Sequence, residues 1–337
     1  MHHPVSRVVV VSLGSIGRRH LANLRSLYPA MRIAVWRRPG SAEEAPPGAD
    51  RLCSSLEDVL RFRPDAAIIA SPTVTHLDIA IRLASEGIHL FIEKPIAHQI
   101  TGIDELLAVC NQNKLVLMVG YNLRFLPSLR RARHLILDGA IGGVISARAE
   151  VGQYLPTWRP DSDYREGVTA RSDLGGGVLL ELSHEIDYVL WIFGAPTRVI
   201  ATGGRYGDLE IDVEDVMELL LLYDSPARLV SVHLDMLQRA PIRQCRFIGS
   251  DGVLVWDGLK DEVNWHKKGA WQMAEDVSMA DKNQLYRDEL RHFFACIEAH
   301  APPACSGEDG LAVMAVVDAA RKSMASGRVI ELSKGRT

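Results

Sequence analysis

Short apolar runs alternate with amphipathic segments over the first 120 residues of the chain. The apolar runs predict strands at residues 7–11, 32–37, 66–70, 88–92 and 115–119. The amphipathic segments predict helices at residues 16–27, 55–62, 75–86 and 102–113. Strands that alternate with helices form a parallel sheet with right-handed crossovers, so this part of the chain predicts an α/β domain with a doubly wound parallel sheet.

Further along the chain the pattern changes to strands without helices between them. The strands predicted there are 144–154, 197–206, 213–223, 227–237, 242–248 and 252–257. They predict an α+β domain with an open, mostly antiparallel sheet, one face covered by a helix over 175–193 and the other left for another subunit. Two late helices, at 281–300 and 308–325, are expected to pack back near the first domain. We therefore expect a first domain over residues 1–122 and a second over residues 123–337.

A turn with two glycines joins the first predicted strand to the first predicted helix. Gly14 would let the backbone approach a pyrophosphate, and Gly17 would let the helix pack close to the strand. Ser12 stands where the dinucleotide fingerprint has its first glycine, which is tolerable if its φ is negative. The turn predicts a dinucleotide site at Ser12, Gly14, Ser15, Ile16 and Gly17. Half-matching turns are also common in α/β proteins that bind no nucleotide.

Lys94 follows the strand predicted at 88–92, in the run Phe91-Ile92-Glu93-Lys94-Pro95. The carboxyl ends of the strands in such a sheet face the crevice where ligands bind, so Lys94 is a candidate for chemistry. The alternative is a solvated surface lysine, which is the commoner environment of this residue type.

A flexible run of three glycines, residues 175–177, precedes the predicted helix that holds Glu181, His184 and Asp187. In one continuous helix these side chains recur every three residues and share a face beside the apolar stripe. A histidine with a carboxylate neighbour is the usual general base, because the carboxylate fixes the tautomer and raises the basicity. The alternative is a structural hydrogen-bonded network.

The end of the second predicted strand bears on the choice of cofactor. A site that prefers NAD usually has a carboxylate there for the ribose 2′-hydroxyl, whereas this chain has Arg37 and then Arg38. Guanidinium groups pair with phosphate, so NADP(H) is expected to be preferred over NAD(H). The alternative is that both arginines are ordinary surface charges and either cofactor is accepted.

Composition narrows the possible classes of protein. The 337 residues are 47% hydrophobic and 24% charged, as in a globular protein of two domains. A net charge of −4 without a basic block argues against a nucleic-acid partner. The five cysteines show no Cys-x-x-Cys spacing, so we expect reduced thiols and no metal site. No targeting segment or apolar span of about 20 residues is visible, so we expect a cytoplasmic protein with no membrane partner.

Together these segments resemble the glucose-fructose oxidoreductase/inositol dehydrogenase (Gfo/Idh/MocA) family of nicotinamide-dependent oxidoreductases. The resemblance covers nearly the whole chain, and its specificity lies in the order and spacing of the segments. They are the glycine turn and residues 71–76, 93–95, 120–125 and 175–187. The resemblance implies hydride transfer between nicotinamide and a carbinol carbon of a sugar, an inositol or a nucleotide sugar.

The resemblance also implies roles for catalytic residues. Lys94 would stabilise the reacting oxygen and relay its proton, His184 would be the general base, and Glu93 would position Lys94 or contact the nicotinamide ribose. The Lys94–Pro95 peptide would be cis. The family has an aspartate four residues before the histidine, where this chain has Leu180, with Glu181 three residues before. Glu181 and Asp187 are therefore both candidate partners of His184.

Further cofactor residues implied by the resemblance are Ser71, Thr73, His76 and Asn122. For His76 the alternative is a surface residue at the start of a helix. Arg124 resembles a family arginine that contacts cofactor or substrate, and its alternative is an interdomain salt bridge.

The segment over residues 153–166 is the candidate substrate loop, because aromatic side chains stand there beside arginines. Aromatic faces suit sugar rings, and guanidinium groups suit phosphate or carboxylate. The candidate substrate residues are Tyr154, Trp158, Arg159, Tyr164 and Arg165, together with Arg124 and His184. Acidic residues balance these arginines, so an anionic sugar and a neutral polyol are both open.

Two other functions occur on this kind of fold. One is a glycosidase that uses a tightly held nicotinamide for transient oxidation, and the other is a cofactor-sensing regulator without chemistry. The presence of both Lys94 and His184 favours an enzyme. Relatives pair through the second sheet, so a homodimer or homotetramer is expected.

Overall fold

The chain forms two compact units, which are described separately. The computed structural model describes residues 5–37, 44–274 and 278–332. The first unit contains residues 1–122 and 282–311, and the second contains residues 123–281 and 312–337. Every helix within the described residues is too short or too polar to cross a membrane.

The first unit is built on a parallel sheet of six strands. They are β1 (Arg7–Val11), β2 (Arg32–Trp36), β3 (Arg51–Cys53), β4 (Ala66–Ile69), β5 (His89–Ile92) and β6 (Leu117–Val119). The order is β3-β2-β1-β4-β5-β6, with every neighbouring pair parallel. The predicted doubly wound sheet is confirmed. The pattern missed β3, because three residues are too few to show a periodicity.

Both faces of this sheet are covered. Successive residues of a strand point to opposite faces, yet Val8, Val9 and Val10 are all fully buried. The helices of this unit are α1 (Ser15–Leu27), α2 (Leu56–Phe62), α3 (His76–Ser85), α4 (Ile103–Gln112) and, late in the chain, α8 (Gln284–Ala299). Local capping sets the ends of α2: Ser55 accepts a hydrogen bond from the Asp58 amide at its start, and Arg63 is left-handed at its end.

The second unit contains, within the described residues, a mixed sheet of nine strands. They are β7 (Val144–Gly152), β8 (Arg198–Gly204), β9 (Val216–Asp224), β10 (Ala227–Asp235), β11 (Ile242–Gly249), β12 (Gly252–Asp257), β13 (Glu262–Lys267), β14 (Ala270–Met273) and β15 (Ile330–Glu331). The order is β14-β13-β12-β11-β7-β10-β9-β8-β15, and the β7–β10 pair is parallel while the others are antiparallel. The predicted mostly antiparallel sheet is confirmed, although β13, β14 and β15 were not predicted.

The two faces of this sheet differ in burial. Val230 and Val232 of β10 are fully buried on the inner face. The outer face carries exposed apolar side chains: Leu220 is 38% exposed, Ile248 43% and Leu229 45%. The helices of this unit are α5 (Pro127–Leu137), α6 (Val178–Glu181) and α7 (His184–Phe193), and α9 (Gly307–Ser326) is divided between the units. Both α6 and α7 contact the sheet.

The prediction of one continuous helix over 175–193 is wrong. The structure has α6 and α7 instead, separated by Leu182 and Ser183. The Ser183 hydroxyl donates a hydrogen bond of 2.8 Å to the Leu180 carbonyl, a local bond of the kind that competes with helix continuation. Glu181 therefore lies on a different helix from His184, and the predicted shared face joins His184 and Asp187 alone.

Candidate active site

The loops that carry the predicted cofactor residues follow one edge of the parallel sheet. Amide groups just beyond three strands donate to neighbouring strand ends: Ala70 to Val11 at 3.1 Å, Glu93 to Ile69 at 2.9 Å and Gly120 to Ile92 at 2.8 Å. The order of the strands reverses between β1 and β4, which is where such sheets bind ligands. The sheet therefore brings the glycine turn and the segments after β4, β5 and β6 to one edge.

The glycine turn differs from expectation at Ser12. Its φ is +72°, so the condition of a negative φ is not met, and a serine occupies a backbone conformation that favours glycine. A Cβ at Gly17 would collide with the Ser12 carbonyl oxygen, which explains the glycine by packing. A Cβ at Gly14 would meet no atom of the described residues within 4 Å. Gly14 is the N-cap residue just before α1, so the amide groups of this helix end are approachable; Ser15 and Ile16 lie in the first turn of the helix.

Of the two arginines predicted to choose the cofactor, Arg37 lies just beyond β2 and is half-buried. Its amide donates to the Cys53 carbonyl at 3.1 Å, which extends the pairing of β2 with β3. Arg38 lies outside the described residues.

His76 is buried, so the alternative of a surface residue is wrong. Its Nδ1 lies 3.0 Å from the Pro95 carbonyl oxygen and its Nε2 lies 2.8 Å from that of Ser71. Burial lowers the pKa of His76, although its contacts with the Ser71 and Pro95 carbonyl groups oppose this. His76 thus braces the Glu-Lys-Pro segment against the loop after β4, where the buried Thr73 lies.

Lys94 lies directly after β5 and is half-buried, and the Lys94–Pro95 peptide is cis, as predicted. Glu93 is buried beside it, and one of its carboxylate oxygens accepts a hydrogen bond of 3.3 Å from the Lys94 amide. The other oxygen lies 2.6 Å from Nε2 of His20 in α1. Sequence reasoning missed His20, although a histidine between the apolar positions of α1 was a visible signal.

Asn122 is also buried in the first unit, and its side chain hydrogen bonds to Tyr286 of α8. The Arg19 guanidinium lies 4.4 Å from the centre of the Tyr286 ring. α8 therefore contacts the same sheet edge through Tyr286, which no sequence motif indicated.

In the second unit, Arg124 forms a buried ion pair with Asp187 of α7. The Arg124 Nε lies 3.1 Å from both Asp187 oxygens, and an Nη lies 2.7 Å from Oδ1. Both residues belong to the second unit, so the alternative of an interdomain salt bridge is wrong for this pair. Asp187 thus holds Arg124, and its predicted support of His184 stays a prediction. His184, in the first turn of α7, is half-buried.

Sequence reasoning also missed Glu185, the neighbour of His184. Glu185 is fully buried and accepts a 2.9 Å hydrogen bond from Arg243 of β11. This ion pair ties α7 to the sheet. Glu185 lies on the helix face that the hydrophobic periodicity assigns to the core. The periodicity therefore gave no reason to identify it as a site residue.

The glycines before α6 serve close packing rather than flexibility. A Cβ at Gly176 would collide with the carbonyl oxygens of Val168 and Thr169, and one at Gly177 would collide with the carboxyl group of Glu214. Gly177 also has a φ of +107°. Glu214 accepts a hydrogen bond from the Leu179 amide, so it caps the start of α6.

The candidate substrate loop contains two short 3₁₀ turns, Leu155–Thr157 and Tyr164–Glu166. Tyr154 stacks under the guanidinium of Arg239, 3.7 Å from its ring centre. Trp158 donates its indole N–H to the Gln153 carbonyl at 3.0 Å.

Carboxylates already neutralise one arginine of this loop. Arg165 pairs with Asp163 at 2.6 Å and with Glu210 at 2.8 Å. The hydroxyl of Tyr164 accepts a hydrogen bond from the Glu210 amide, and Arg159 is exposed.

Family models match both units of the chain. Residues 6–121 match the NAD-binding Rossmann fold of the Gfo/Idh/MocA oxidoreductase family, and residues 133–332 match its C-terminal α/β domain. The chain belongs to this oxidoreductase family. The predicted resemblance is therefore confirmed, and with it an enzyme class of nicotinamide-dependent dehydrogenases and reductases.

Relatives of this Gfo/Idh/MocA chain align along nearly its whole length. The inositol 2-dehydrogenase of Rhizobium meliloti is 29% identical, over 97% of this chain and 99% of the relative. A levoglucosan dehydrogenase solved in complex with NADH superposes with a TM-score of 0.84 at 20% identity, over 97% and 99% of the two chains. The WlbA dehydrogenase of Bordetella pertussis, solved with NADH and UDP-GlcNAcA, gives 0.83 at 22% identity, over 99% of both. The two solved structures support the fold.

Proposed function

We propose that the chain catalyses reversible hydride transfer between nicotinamide and a ring carbinol carbon of a neutral polyol or sugar. The observation that carries the proposal is the placement of Glu93-Lys94-Pro95 at the sheet edge that also holds the glycine turn. A nicotinamide-dependent oxidoreductase needs its reactive lysine where the dinucleotide binds, and this sheet edge is the position that the fold reserves for ligands.

The first unit fits a dinucleotide. Gly14 leaves the backbone open at the amino end of α1, a helix of 13 residues whose N–H groups suit a pyrophosphate. We assign the pyrophosphate to the turn from Ser12 to Gly17, including Ser15 and Ile16, and the adenosine ribose to Arg37 and Arg38. Ser71, Thr73, Glu93 and Asn122 would line the remaining edge, with His76 fixing the loop after β4. Arg37 favours NADP(H), because a guanidinium pairs with a 2′-phosphate.

The chemical roles follow from what carbinol oxidation requires. A bound nicotinamide would supply the hydride acceptor, and the hydroxyl proton must leave the same carbinol group. We assign the acceptance of that proton to His184. Lys94 would stabilise the negative charge developing on the oxygen and relay its proton. In the direction of reduction, His184 returns the proton. Asp187 and Arg124 would fix α7, which carries His184, and Glu181 is the second candidate partner of the histidine.

The charges of the substrate loop support a neutral substrate. A nucleotide sugar carries a diphosphate, which needs cationic groups that are not already neutralised. Arg165 is paired with two carboxylates and Arg171 with Asp173 at 2.6 Å, so the exposed Arg159 would meet the charges of a diphosphate as a single cation. Trp158 and Tyr164 offer faces for a sugar ring, and Tyr154 offers the face that Arg239 does not cover. The inositol 2-dehydrogenase named above acts, by its name, on a neutral polyol.

An absorbance screen for reduced nicotinamide tests the proposal. Inositols, neutral monosaccharides, anhydrosugars and nucleotide sugars would each be supplied with NADP⁺ and with NAD⁺. We expect net formation of NADPH with a neutral ring substrate. Glycoside cleavage without net NADPH would identify the nicotinamide-assisted glycosidase instead, and activity confined to nucleotide sugars would overturn the assignment of a neutral substrate.

A further inference from the structure

Three buried ionisable side chains of the first unit meet at the Glu-Lys-Pro segment, which contributes one of them. They are His20 of α1, Glu93 after β5 and Glu289 of α8. His20 and Glu289 are fully buried, and Glu93 is 9% exposed. One nitrogen of His20 and one oxygen of each carboxyl group lie within 4.8 Å of one another. Buried charges are costly unless they are paired, so two carboxylates this close cannot both stay ionised without a counter-charge.

Glu289 is the carboxyl group that carries the proton. Neither of its oxygens has a hydrogen-bond partner among the described residues. Burial, and secondly the charge on Glu93, raise the pKa of Glu289 well above its ordinary value. Two buried carboxyl groups in one cluster then share a single negative charge, as in other carboxylate pairs.

His20 is a neutral donor to Glu93. Its Nε2 lies 2.6 Å from Oε1 of Glu93, whereas its Nδ1 has no hydrogen-bond partner among the described residues. An imidazolium would leave a buried N–H without an acceptor, while a neutral ring protonated at Nε2 leaves a lone pair only. The Phe91 ring packs edge-on against His20 at 5.3 Å and fixes its orientation. Glu93 is therefore the member of the cluster that receives both the His20 ring and the Lys94 amide.

The same donor set also suits a divalent cation, but two observations favour a proton. The His20–Glu93 distance of 2.6 Å is that of a hydrogen bond. A histidine that binds a metal nearly always donates its other N–H to an acceptor, and Nδ1 of His20 has none among the described residues.

We propose that Glu289 is a positioning residue for Lys94 and acts through Glu93. As a neutral acid, Glu289 places a carboxyl oxygen within 4.8 Å of the Glu93 carboxylate, to which His20 already donates. Glu93 in turn accepts the Lys94 amide at 3.3 Å. The cluster thus fixes the backbone of Lys94 and keeps a single negative charge beside it. This inference rests on the proposed role of Lys94 at the reacting oxygen.

Infrared difference spectroscopy tests the proton without any substrate. In the parent minus Glu289→Gln spectrum at neutral pH, we expect the carbonyl band of a protonated carboxyl group that the variant lacks. A missing band means an ionised Glu289 and overturns the proposal. The proposal is also overturned if the dialysed parent protein retains one divalent ion per chain and Glu289→Gln retains none.

A kinetic cycle tests the action through Lys94. Glu289→Gln keeps an N–H donor, so kcat should stay within about threefold of the parent value. Glu289→Leu has no donor, and kcat should fall about tenfold or more while the Kd of the cofactor is unchanged. In a Lys94→Ala background, Glu289→Leu should have no further effect on kcat, because the two residues act as one unit.

Leu290→Ala is the matched control, because Leu290 is fully buried on the same helix. This variant should lower stability, and its effect on kcat should be the same with and without Lys94. If Glu289→Leu also lowers kcat by the same factor with and without Lys94, Glu289 is merely structural and the proposal is overturned. If no sugar or polyol is oxidised at all, the proposed function fails, while the infrared band still decides where the proton lies.

Discussion

Arg124 and Asp187 form a two-pronged ion pair in which the side chains are 3% and 0% exposed. The guanidinium of Arg124 also lies 5.7 Å from the centre of the Trp191 ring, one turn further along α7. Buried pairs of this kind specify an arrangement more than they stabilise it. Because Asp187 lies in the first turn of α7, which begins at His184, the pair fixes the position of the proposed base.

The first prediction concerns this pair. Asp187→Asn leaves the Arg124 charge buried without its counter-ion, so the free energy of unfolding should fall by about 3 to 5 kcal/mol. Asp163→Asn, which breaks the exposed pair with Arg165, is the control and should cost less than about 1 kcal/mol. Urea denaturation of both variants provides the comparison. Equal losses would show that the Arg124–Asp187 pair is not a buried constraint.

The fold of each unit was readable from the sequence wherever an element was long enough to show a period. β1 and α1 agree with prediction to within one residue at either end. β3 and β15 have three and two residues, so pairing with their neighbours defines them. α5 was missed despite Pro127 at its first position, a signal of a helix start.

The site was less readable than the fold. Motifs identified Lys94 and His184 as candidate catalytic residues. Lys94 follows a predicted strand end, and His184 follows a run of three glycines. His20, Glu185 and Glu289 were missed, because their partners come from elements remote in sequence. The hydrophobic periodicity of a single helix cannot show that His20 contacts Glu93, which lies 73 residues away in the sequence. The break between α6 and α7 was also unpredictable, since it depends on a local side-chain hydrogen bond.

The second prediction concerns cofactor choice. If Arg37 contacts a 2′-phosphate, NADP(H) should bind more tightly than NAD(H), and Arg37→Ala should lose about 1.5 to 3 kcal/mol of NADP(H) affinity. Its affinity for NAD(H) should barely change. Arg61→Ala is the control, because Arg61 is an exposed arginine of α2 paired with Asp58. Calorimetric titration with both cofactors measures this, and equal affinities in the parent protein would contradict it.

The third prediction concerns the outer face of the second sheet. Leu220, Leu229 and Ile248 expose apolar surface there, and such a face is normally covered by another subunit. We expect a homodimer or homotetramer by light scattering at micromolar concentration. The double variant Leu220→Glu/Leu229→Glu should shift it toward monomers. Tyr206→Glu, at an exposed aromatic outside the strands, should not. A monomeric parent protein would refute the prediction.

The fourth prediction concerns stability against pH. Hydrogen bonding to Asp235 and then to Glu218 raises the pKa of His233 to about 9, although burial opposes this. The stabilisation is therefore complete below the ordinary histidine value of about 6.5 and is lost as the pH rises through about 9. Urea denaturation should show a loss of about 1 kcal/mol over this interval, which His233→Gln should abolish. His134→Gln, in an exposed pair with Asp138, should leave the slope unchanged.

The last prediction concerns the proposed acid–base residues. His184→Ala should lower turnover of a verified substrate by about 10² to 10⁴, because the hydroxyl proton loses its acceptor, while cofactor binding stays nearly intact. Added imidazole should restore part of the activity, and the decline of oxidation at low pH should disappear in this variant.

Lys94→Ala should lower turnover similarly, and Lys94→Arg should not rescue it, because a guanidinium does not readily give up a proton. Stopped-flow measurement of the hydride step checks these effects against the parent enzyme. Parental turnover in His184→Ala would make His184 structural and leave Lys94 or water as the proton acceptor.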